Sequence, residues 1–209
     1  MKFARLVLLL LAATLVLSGC ASTQRLSDAD RARVKTVAID TKVDKGEMFL
    51  MAPNSANIGL MFGAVGGLMA SGAINDQKTV FKSFVDAHGV SIEAIVRDEF
   101  EKALRESGKV AIVAAKGADA PLITVSVPQY GFGLTHMLSS NVVPVMRIAS
   151  KMTDRDGKVL WAESETILPS IASPMETTTW VKLHDDPKTI EQEWRKAAHY
   201  LAQKIVATL

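Results

Sequence analysis

Alternation of apolar and polar residues indicates a strand in the second half of the chain. Across residues 122–132, Ile123, Val125 and Val127 alternate with hydroxyl-bearing residues, which is the period of a strand with one buried face. Pro128 interrupts this run and predicts an edge position or a bend, because proline cannot donate to a neighbouring strand.

A hairpin is expected after this strand. Within residues 142–152, Met146 and Ile148 lie on the face opposite Arg147, and residues 158–167 again have strand character. The Asp-Gly pair at residues 156–157 stands between the two runs and is typical of a tight turn between antiparallel strands.

Two segments have the helical period instead. Residues 91–107 carry an apolar stripe that includes Ile95, Phe100 and Leu104, and Gly108 is well placed to end the helix. A second helix is expected to open at Asp186-Pro187, an N-cap followed by proline in the first turn. Its buried stripe comprises Ile190, Trp194, Ala197, Ala198, Leu201 and Ile205.

The order of these elements predicts the fold class. Short apolar runs at residues 34–40 and 110–113 are expected to be strands, so the order is strand, helix, strand, three antiparallel strands and helix. We therefore expect an α+β fold with a mixed sheet of about four to five strands and two helices packed on one face.

A glycine-rich apolar insertion, at about residues 48–75, interrupts this pattern. Residues 58–74 contain no charged side chain, and Gly59, Gly63, Gly67 and Ser71 recur every four residues. On a helix this spacing would align small residues for close contact with another helix. One hypothesis is membrane contact or self-association through these four residues, and the other is packing within the soluble domain.

The amino terminus has the organisation of an export signal. Lys2 and Arg5 precede an uncharged stretch at residues 6–17, which is shorter than a membrane-spanning helix. Residues 17–20 read Leu-Ser-Gly-Cys and resemble the bacterial lipobox. That resemblance implies cleavage before Cys20 and diacylglycerol on its sulfur. Cys20 is the only cysteine, so no disulfide competes for it.

These features divide the chain into a signal peptide (residues 1–19), a lipidated tether (residues 20–32) and a single periplasmic domain (residues 33–209). The aspartate that retains such lipoproteins in the inner membrane does not follow Cys20, since Ala21 and Ser22 stand there. The lipobox resemblance therefore implies an outer-membrane lipoprotein that faces the periplasm, with the inner membrane as the less favoured location.

Charge excludes one class of partner. Of 24 basic side chains, two lie in the signal, and the remaining 22 equal the 22 acidic side chains of the whole sequence. A mature chain without basic excess is not expected to bind nucleic acid.

Candidate catalytic and metal-ligating residues do not form a recognised motif. The four histidines are His88, His136, His184 and His199, and none belongs to a zinc-binding H-E-x-x-H pattern. Asp154 and Asp156 begin like a calcium loop, but a hairpin turn is the favoured interpretation. We predict no catalytic residue, no metal and no cofactor other than the lipid on Cys20.

A resemblance extends over about 130 residues. The helix ending Leu-Arg-Glu-Ser-Gly at residues 104–108, the Gly-Ala-Asp-Ala run at 117–120 and the hairpin ending Val-Leu-Trp at 159–161 are similar to envelope lipoproteins. These are proteins related to the TolB amino-terminal domain, the CsgG family and the penicillin-binding-protein activators. The resemblance implies a protein that assembles, recruits others or forms a pore, and does not catalyse a reaction.

Three functional hypotheses follow. The favoured one is a non-catalytic lipoprotein, held to the membrane by its lipid, which acts as a periplasmic binding or envelope-assembly module. Its partner would be an envelope protein or a second copy of the chain. The first alternative is a secretion-channel or transporter accessory subunit in which residues 58–74 enter the membrane. The second is a hydrolase with an unrecognised site.

Overall fold

A computed structural model describes residues 23–51, 77–114 and 119–209. The predictions for Cys20 and for Gly59, Gly63, Gly67 and Ser71 lie outside these ranges and stay predictions. The strands are β1 (Thr36–Leu50), β2 (Ala111–Val113), β3 (Leu122–Leu134), β4 (Asn141–Thr153), β5 (Val159–Ile167) and β6 (Thr178–Thr179). The helices are α1 (Asp28–Arg33), α2 (Gln77–Ala87), α3 (Ile92–Ser107), α4 (Trp180–Asp185) and α5 (Lys188–Ala207).

The strands form one mixed sheet in the order β2-β1-β3-β4-β5, with the two-residue β6 paired to the start of β4. β1 runs parallel to both β2 and β3, and β4 runs antiparallel to its two neighbours, β3 and β5. The predicted α+β class with a mixed sheet is confirmed.

The sheet has two ends. We call the end where β1, β3 and β5 terminate the loop end, and the other, which holds the turn between β4 and β5, the turn end.

Two irregularities bend the long central strands. The register between β1 and β3 shifts between Ile39 and Val43, where β1 holds two extra residues. β3 holds one extra residue against β4 in the stretch that contains Pro128, so the predicted bend is a bulge inside the sheet. Gly46 faces this bulge so closely that a Cβ atom there would lie 2.0 Å from the carbonyl oxygen of Pro128.

Helices α3 and α5 pack side by side against one face of the sheet, as predicted. The hydroxyl of Ser91 accepts a hydrogen bond from the Ala94 amide at the start of α3, and Gly108 ends it in the left-handed conformation. All six residues predicted for the buried stripe of α5 are buried. The strength of the apolar period explains why both helices were predictable.

Helices α2 and α4 were not predicted, and both pack at the loop end. The rings of Phe81 in α2 and Trp180 in α4 meet edge to face, with centroids 5.6 Å apart. Each also contacts Phe132 of β3, which in turn stacks on Trp194 of α5 at 5.8 Å. This aromatic cluster extends the core beyond the two predicted helices.

The segment expected to form a tether is packed on the domain from Thr23 onward. Gln24 pairs with Ala162 at the free edge of β5, and Leu26 is buried in the core. α1 follows, with the hydroxyl of Ser27 accepting a hydrogen bond from the Asp30 amide. The segment is ordered because backbone hydrogen bonds and an apolar side chain join it to β5 and the core.

Candidate functional site

The face of the sheet that α3 and α5 leave uncovered carries small and hydroxyl-bearing side chains. We call it the outer face. The strand register aligns two rows across it, and the first is Asp44, Ser126, Ala149 and Ser164. The second row is Thr124, Lys151 and Ala162. Neighbouring side chains in a row lie on adjacent strands, so the rows present hydroxyl groups and small side chains side by side.

These rows form the floor of an open depression of about 280 Å³, which we call the outer groove. Its lining includes Thr23, Asp44, Thr124, Ser126, Ala149, Lys151, Ala162, Glu163 and Ser164. The groove exists because alanine and serine occupy positions where larger side chains would fill the space. Its chemistry is that of hydrogen-bond donors and acceptors with both signs of charge at its margin.

The amino-terminal segment forms one wall of the outer groove. The hydroxyl of Thr23 donates a hydrogen bond of 3.2 Å to the carboxylate of Glu163, and the side chain of Gln24 donates one of 2.8 Å to the carbonyl of Val159. At the opposite margin Lys42 and Asp44 form an ion pair at 2.7 Å. The hydrogen bond that Lys42 donates to Asp44, followed by the attraction of the Asp44 charge, raises the pKa of Lys42.

Arg147 lies next along β4 on the same face, beyond Ala149. It sits between Gln129 of β3 and Thr166 of β5. Its Nε atom is buried and has no hydrogen-bond partner among the described residues, where Arg147 also forms no ion pair. A buried donor without a partner is unusual in a folded protein. The atom itself is shielded, so an acceptor from another molecule would meet only the exposed part of this half-buried side chain.

The part of the outer face nearest the loop end is covered by the loop between β5 and β6. Val143 and Val145 point to this face and are nevertheless fully buried. Pro169 packs there against Gly133, where an added Cβ would lie 2.6 Å from the Pro169 Cβ. The outer groove is therefore the portion of the face that this loop leaves open.

The best-organised charged cluster lies elsewhere, between α3 and α5. Glu99 is buried and accepts from Arg195 at 3.2 Å, and His199 approaches it at 3.3 Å. The pKa of Arg195 is raised: burial acts to lower it, but the hydrogen bonds to Glu191 and Glu99 outweigh that effect. These contacts join two helices, which gives His199 a structural role.

The turn residues considered for calcium bind backbone amides instead. The carboxylate of Asp154 accepts hydrogen bonds from the amides of Asp156 and Lys158 at 3.0 and 2.9 Å. The Gly157 amide closes the turn onto the Asp154 carbonyl at 3.0 Å, as expected for the hairpin. A polar depression of about 380 Å³ lies beside this turn, with basic and acidic side chains mixed along its walls.

Asp186 and His88 also have local structural contacts. The carboxylate of Asp186 accepts hydrogen bonds from the Lys188 amide and the Thr189 hydroxyl, so it holds the first turn of α5, whose N-cap is Pro187, one residue later than predicted. His88 packs on Phe84 with ring centroids 4.3 Å apart. Within the described ranges, no three histidine, cysteine or acidic residues come close enough to hold a metal ion.

Sequence reasoning found part of the outer face and missed the rest. The alternation in β3 and β4 placed Thr124, Ser126, Arg147 and Lys151 on the face away from the core. It gave no signal for Thr23 and the other residues that reach the groove from distant parts of the chain. Only the strand register brings them together.

No known protein family matches the sequence, and no curated protein does either. Solved structures with some similarity include the PelC dodecamer from Paraburkholderia phytofirmans, at 13% identity over 90% of this chain and 94% of that one, with a TM-score of 0.42. A minor lipoprotein from Acinetobacter baumannii has 16% identity over 54% and 82%, with a TM-score of 0.36. Lipoprotein GNA1162 from Neisseria meningitidis has 18% identity over 64% and 81%, with a TM-score of 0.24.

Structural neighbours of this chain thus include bacterial lipoproteins. TM-scores below 0.5 do not establish a shared activity or assembly. None of the three neighbours is described as a relative of TolB, CsgG or the penicillin-binding-protein activators, so that resemblance stays an expectation. Among the helices in the described ranges, none has the length and apolarity needed to cross a bilayer.

Proposed function

We propose that this protein is a non-catalytic envelope lipoprotein that is anchored through Cys20 and binds a periplasmic partner on its outer face. The observation that carries the proposal is the pairing of Gln24 with Ala162. It fixes the chain only four residues after the predicted lipid attachment point, on the strand that also borders the outer groove. The described chain is therefore fixed beside the groove from Thr23 onward, three residues after Cys20.

The chemistry of the outer face supports binding. Its hydroxyl groups can donate and accept hydrogen bonds, and the half-buried Arg147 forms no ion pair among the described residues. Lys151 adds a second cation on the same strand, two residues from the small side chain of Ala149. A partner that presents a carboxylate or phosphate beside neutral hydrogen-bonding groups would complement this arrangement.

Anchoring to a membrane can compensate for a low affinity of the outer groove for its partner. A module held at a membrane meets other envelope components at a raised effective concentration, so a shallow site can be sufficient. We place the protein on the outer membrane, facing the periplasm, because Ala21 and Ser22 follow Cys20 in the sequence.

The anchor is tested by palmitate labelling in cells. The parent should incorporate labelled palmitate and Cys20→Ala should not, and labelling of both proteins would contradict the anchor.

The binding face is tested by placing a photo-crosslinking amino acid at Ser126 or Ser164. Both positions should give the same protein adduct, whereas the exposed Lys102 on α3 should give none. Equal adducts at all three positions would contradict a specific site.

A further inference from the structure

We propose that the loop end of the domain lies against the lipid bilayer through four apolar side chains: Met137 and Leu138 in the loop between β3 and β4, and Leu168 and Ile171 in the loop after β5. This inference rests on the proposed lipid anchor at Cys20. It adds a second membrane contact, made by the folded domain, and fixes how the domain is oriented.

The four side chains are unusually exposed for their size. Their exposed fractions are 88% for Met137, 94% for Leu138, 64% for Leu168 and 80% for Ile171. Single exposed apolar residues are common, but a group at one end of a domain indicates a contact surface. The loop after β5 starts level with Met146 and runs toward the loop between β3 and β4. Pro169 packs on Gly133, and β6 at the end of this segment pairs with Asn141 and Val142 at the start of β4.

These loops also lack charge. Neither residues 135–140 nor residues 168–175 contain Asp, Glu, Lys or Arg. Turns in water favour polar and charged residues, whereas an uncharged loop can enter the interfacial region of a bilayer without burying an ion. The composition therefore suits lipid better than water.

The loop that carries Met137 and Leu138 is held in shape by hydrogen bonds. Ser139 is buried, and its hydroxyl accepts from Thr135 at 2.8 Å and from the Asn141 amide at 2.9 Å. The Thr135 amide also donates to the Asn141 carbonyl at 3.2 Å. Because the backbone is satisfied internally, the two apolar side chains are presented outward by the loop's own structure.

The direction of the amino-terminal segment identifies the bilayer as the occupant. Gln24 pairs antiparallel with Ala162, so the chain traced back from Thr23 heads toward the end of β5. Cys20 is three residues before Thr23 and lies within about 11 Å of it by covalent reach. Thr23 is level with Glu163, about 13 Å along β5 from Ile167. An extended chain of this length would carry the lipid of Cys20 toward the end of β5, where Leu168 begins the second apolar loop.

With the loop end on the bilayer, the strands point away from the membrane surface. The outer groove then faces the periplasm to one side of the domain. A partner would reach the groove from the periplasm along the membrane surface. The four apolar side chains alone do not hold the protein at a bilayer, since even one acyl chain binds only marginally. They orient a domain that the lipid already holds.

Depth measurements on the full lipoprotein test the proposal. Since the sulfur of Cys20 is consumed by lipid, a cysteine introduced elsewhere is the only free thiol. Leu138→Cys and Ile171→Cys would carry an environment-sensitive fluorophore, and Arg155→Cys in the turn-end hairpin is the matched control. Each protein is reconstituted in vesicles of phosphatidylethanolamine and phosphatidylglycerol, with or without spin-labelled lipid.

The expected result is at least twofold stronger quenching by spin-labelled lipid at positions 138 and 171 than at 155, with the reverse order for aqueous iodide. Introducing Met137→Asp into the Ile171→Cys protein should reduce its lipid quenching and leave palmitate labelling unchanged. Equal lipid quenching at all three positions in a palmitoylated protein would overturn the docking alone. If the fluorophores at positions 138 and 171 stay shielded from iodide in detergent, and Leu138→Cys forms disulfide-linked dimers, this surface binds a second copy of the chain. That result would also overturn the membrane docking. Absence of palmitate from the parent would overturn both anchor and docking.

Discussion

Gln24 and Ala162 exchange both of their backbone hydrogen bonds, at 2.8 and 2.9 Å, although they are far apart in the sequence. The pairing covers part of the free edge of β5, which would otherwise present unpaired donors and acceptors. It also fixes the direction in which the chain leaves the domain toward Cys20. Under the proposed anchoring at Cys20, this pairing decides on which side of the domain the lipid would be attached.

Gln24→Pro should release this segment from β5. Proline has no amide hydrogen, so the bond to the Ala162 carbonyl is lost together with the side-chain bond to Val159. We expect the free energy of unfolding to fall by about 1–2 kcal/mol and the Ala162 amide to exchange faster with solvent. Gln24→Ala keeps both backbone bonds and should cost less. Identical exchange of the Ala162 amide in both variants would contradict this role for the pairing.

Gly133→Ala should displace the loop that covers Val143 and Val145. The new Cβ would lie 2.6 Å from the Cβ of Pro169, which is closer than two carbon atoms can approach. We expect a loss of about 1–3 kcal/mol in urea unfolding, as for other overpacked sites, and faster proteolysis of the loop. Adding Pro169→Gly removes the clashing atom, so the double variant should lose less than the sum of the single losses. Full additivity would show that the two residues do not meet.

Tyr130 should make the protein unstable in alkali. It is buried against Trp194, and burial, followed by the negative charge of Glu93, raises its pKa above 10.0. The unfolded chain therefore loses this proton at lower pH than the folded protein, so the stability present below pH 10 is lost as pH rises through the folded pKa. The urea midpoint of the parent should fall more steeply between pH 8.5 and 11 than that of Tyr130→Phe. Parallel pH profiles would contradict this assignment.

The parts of the fold that the sequence predicts are those with an unbroken period. α3 and α5 each bury a continuous apolar stripe, and β3, β4 and β5 alternate strictly enough to place their faces. β1 was predicted only to Asp40, because the buried positions that follow do not alternate. Val43 and Met48 are both buried although they are five residues apart, since β1 follows the bulge of β3 between them. The inward side therefore changes from odd-numbered to even-numbered residues within the second half of β1.

The candidate site was less predictable because it is built from residues far apart in the sequence. Asp44, Ser126 and Ser164 meet through the register of four strands, and no local pattern specifies that register. Thr23 reaches the groove only because Gln24 pairs with Ala162. By contrast, Arg147 could be placed on the outer face from the alternation with Met146 and Ile148 alone. What the sequence could not show is that its Nε atom is buried.

Arg147→Met should weaken binding of the partner without lowering the free energy of unfolding of the domain. The methionine keeps an unbranched apolar stem and removes a buried donor that has no partner among the described residues. We therefore expect the free energy of unfolding to stay constant or to rise by up to about 1 kcal/mol. The photo-crosslink from Ser164 should weaken at least several-fold, because a charged anchor for the partner is gone. Arg97→Met, which removes an arginine paired with Asp98 at 3.0 Å on α3, is the control and should leave the crosslink intact. A destabilised Arg147→Met protein with an unchanged crosslink would show that Arg147 serves the fold and not the partner.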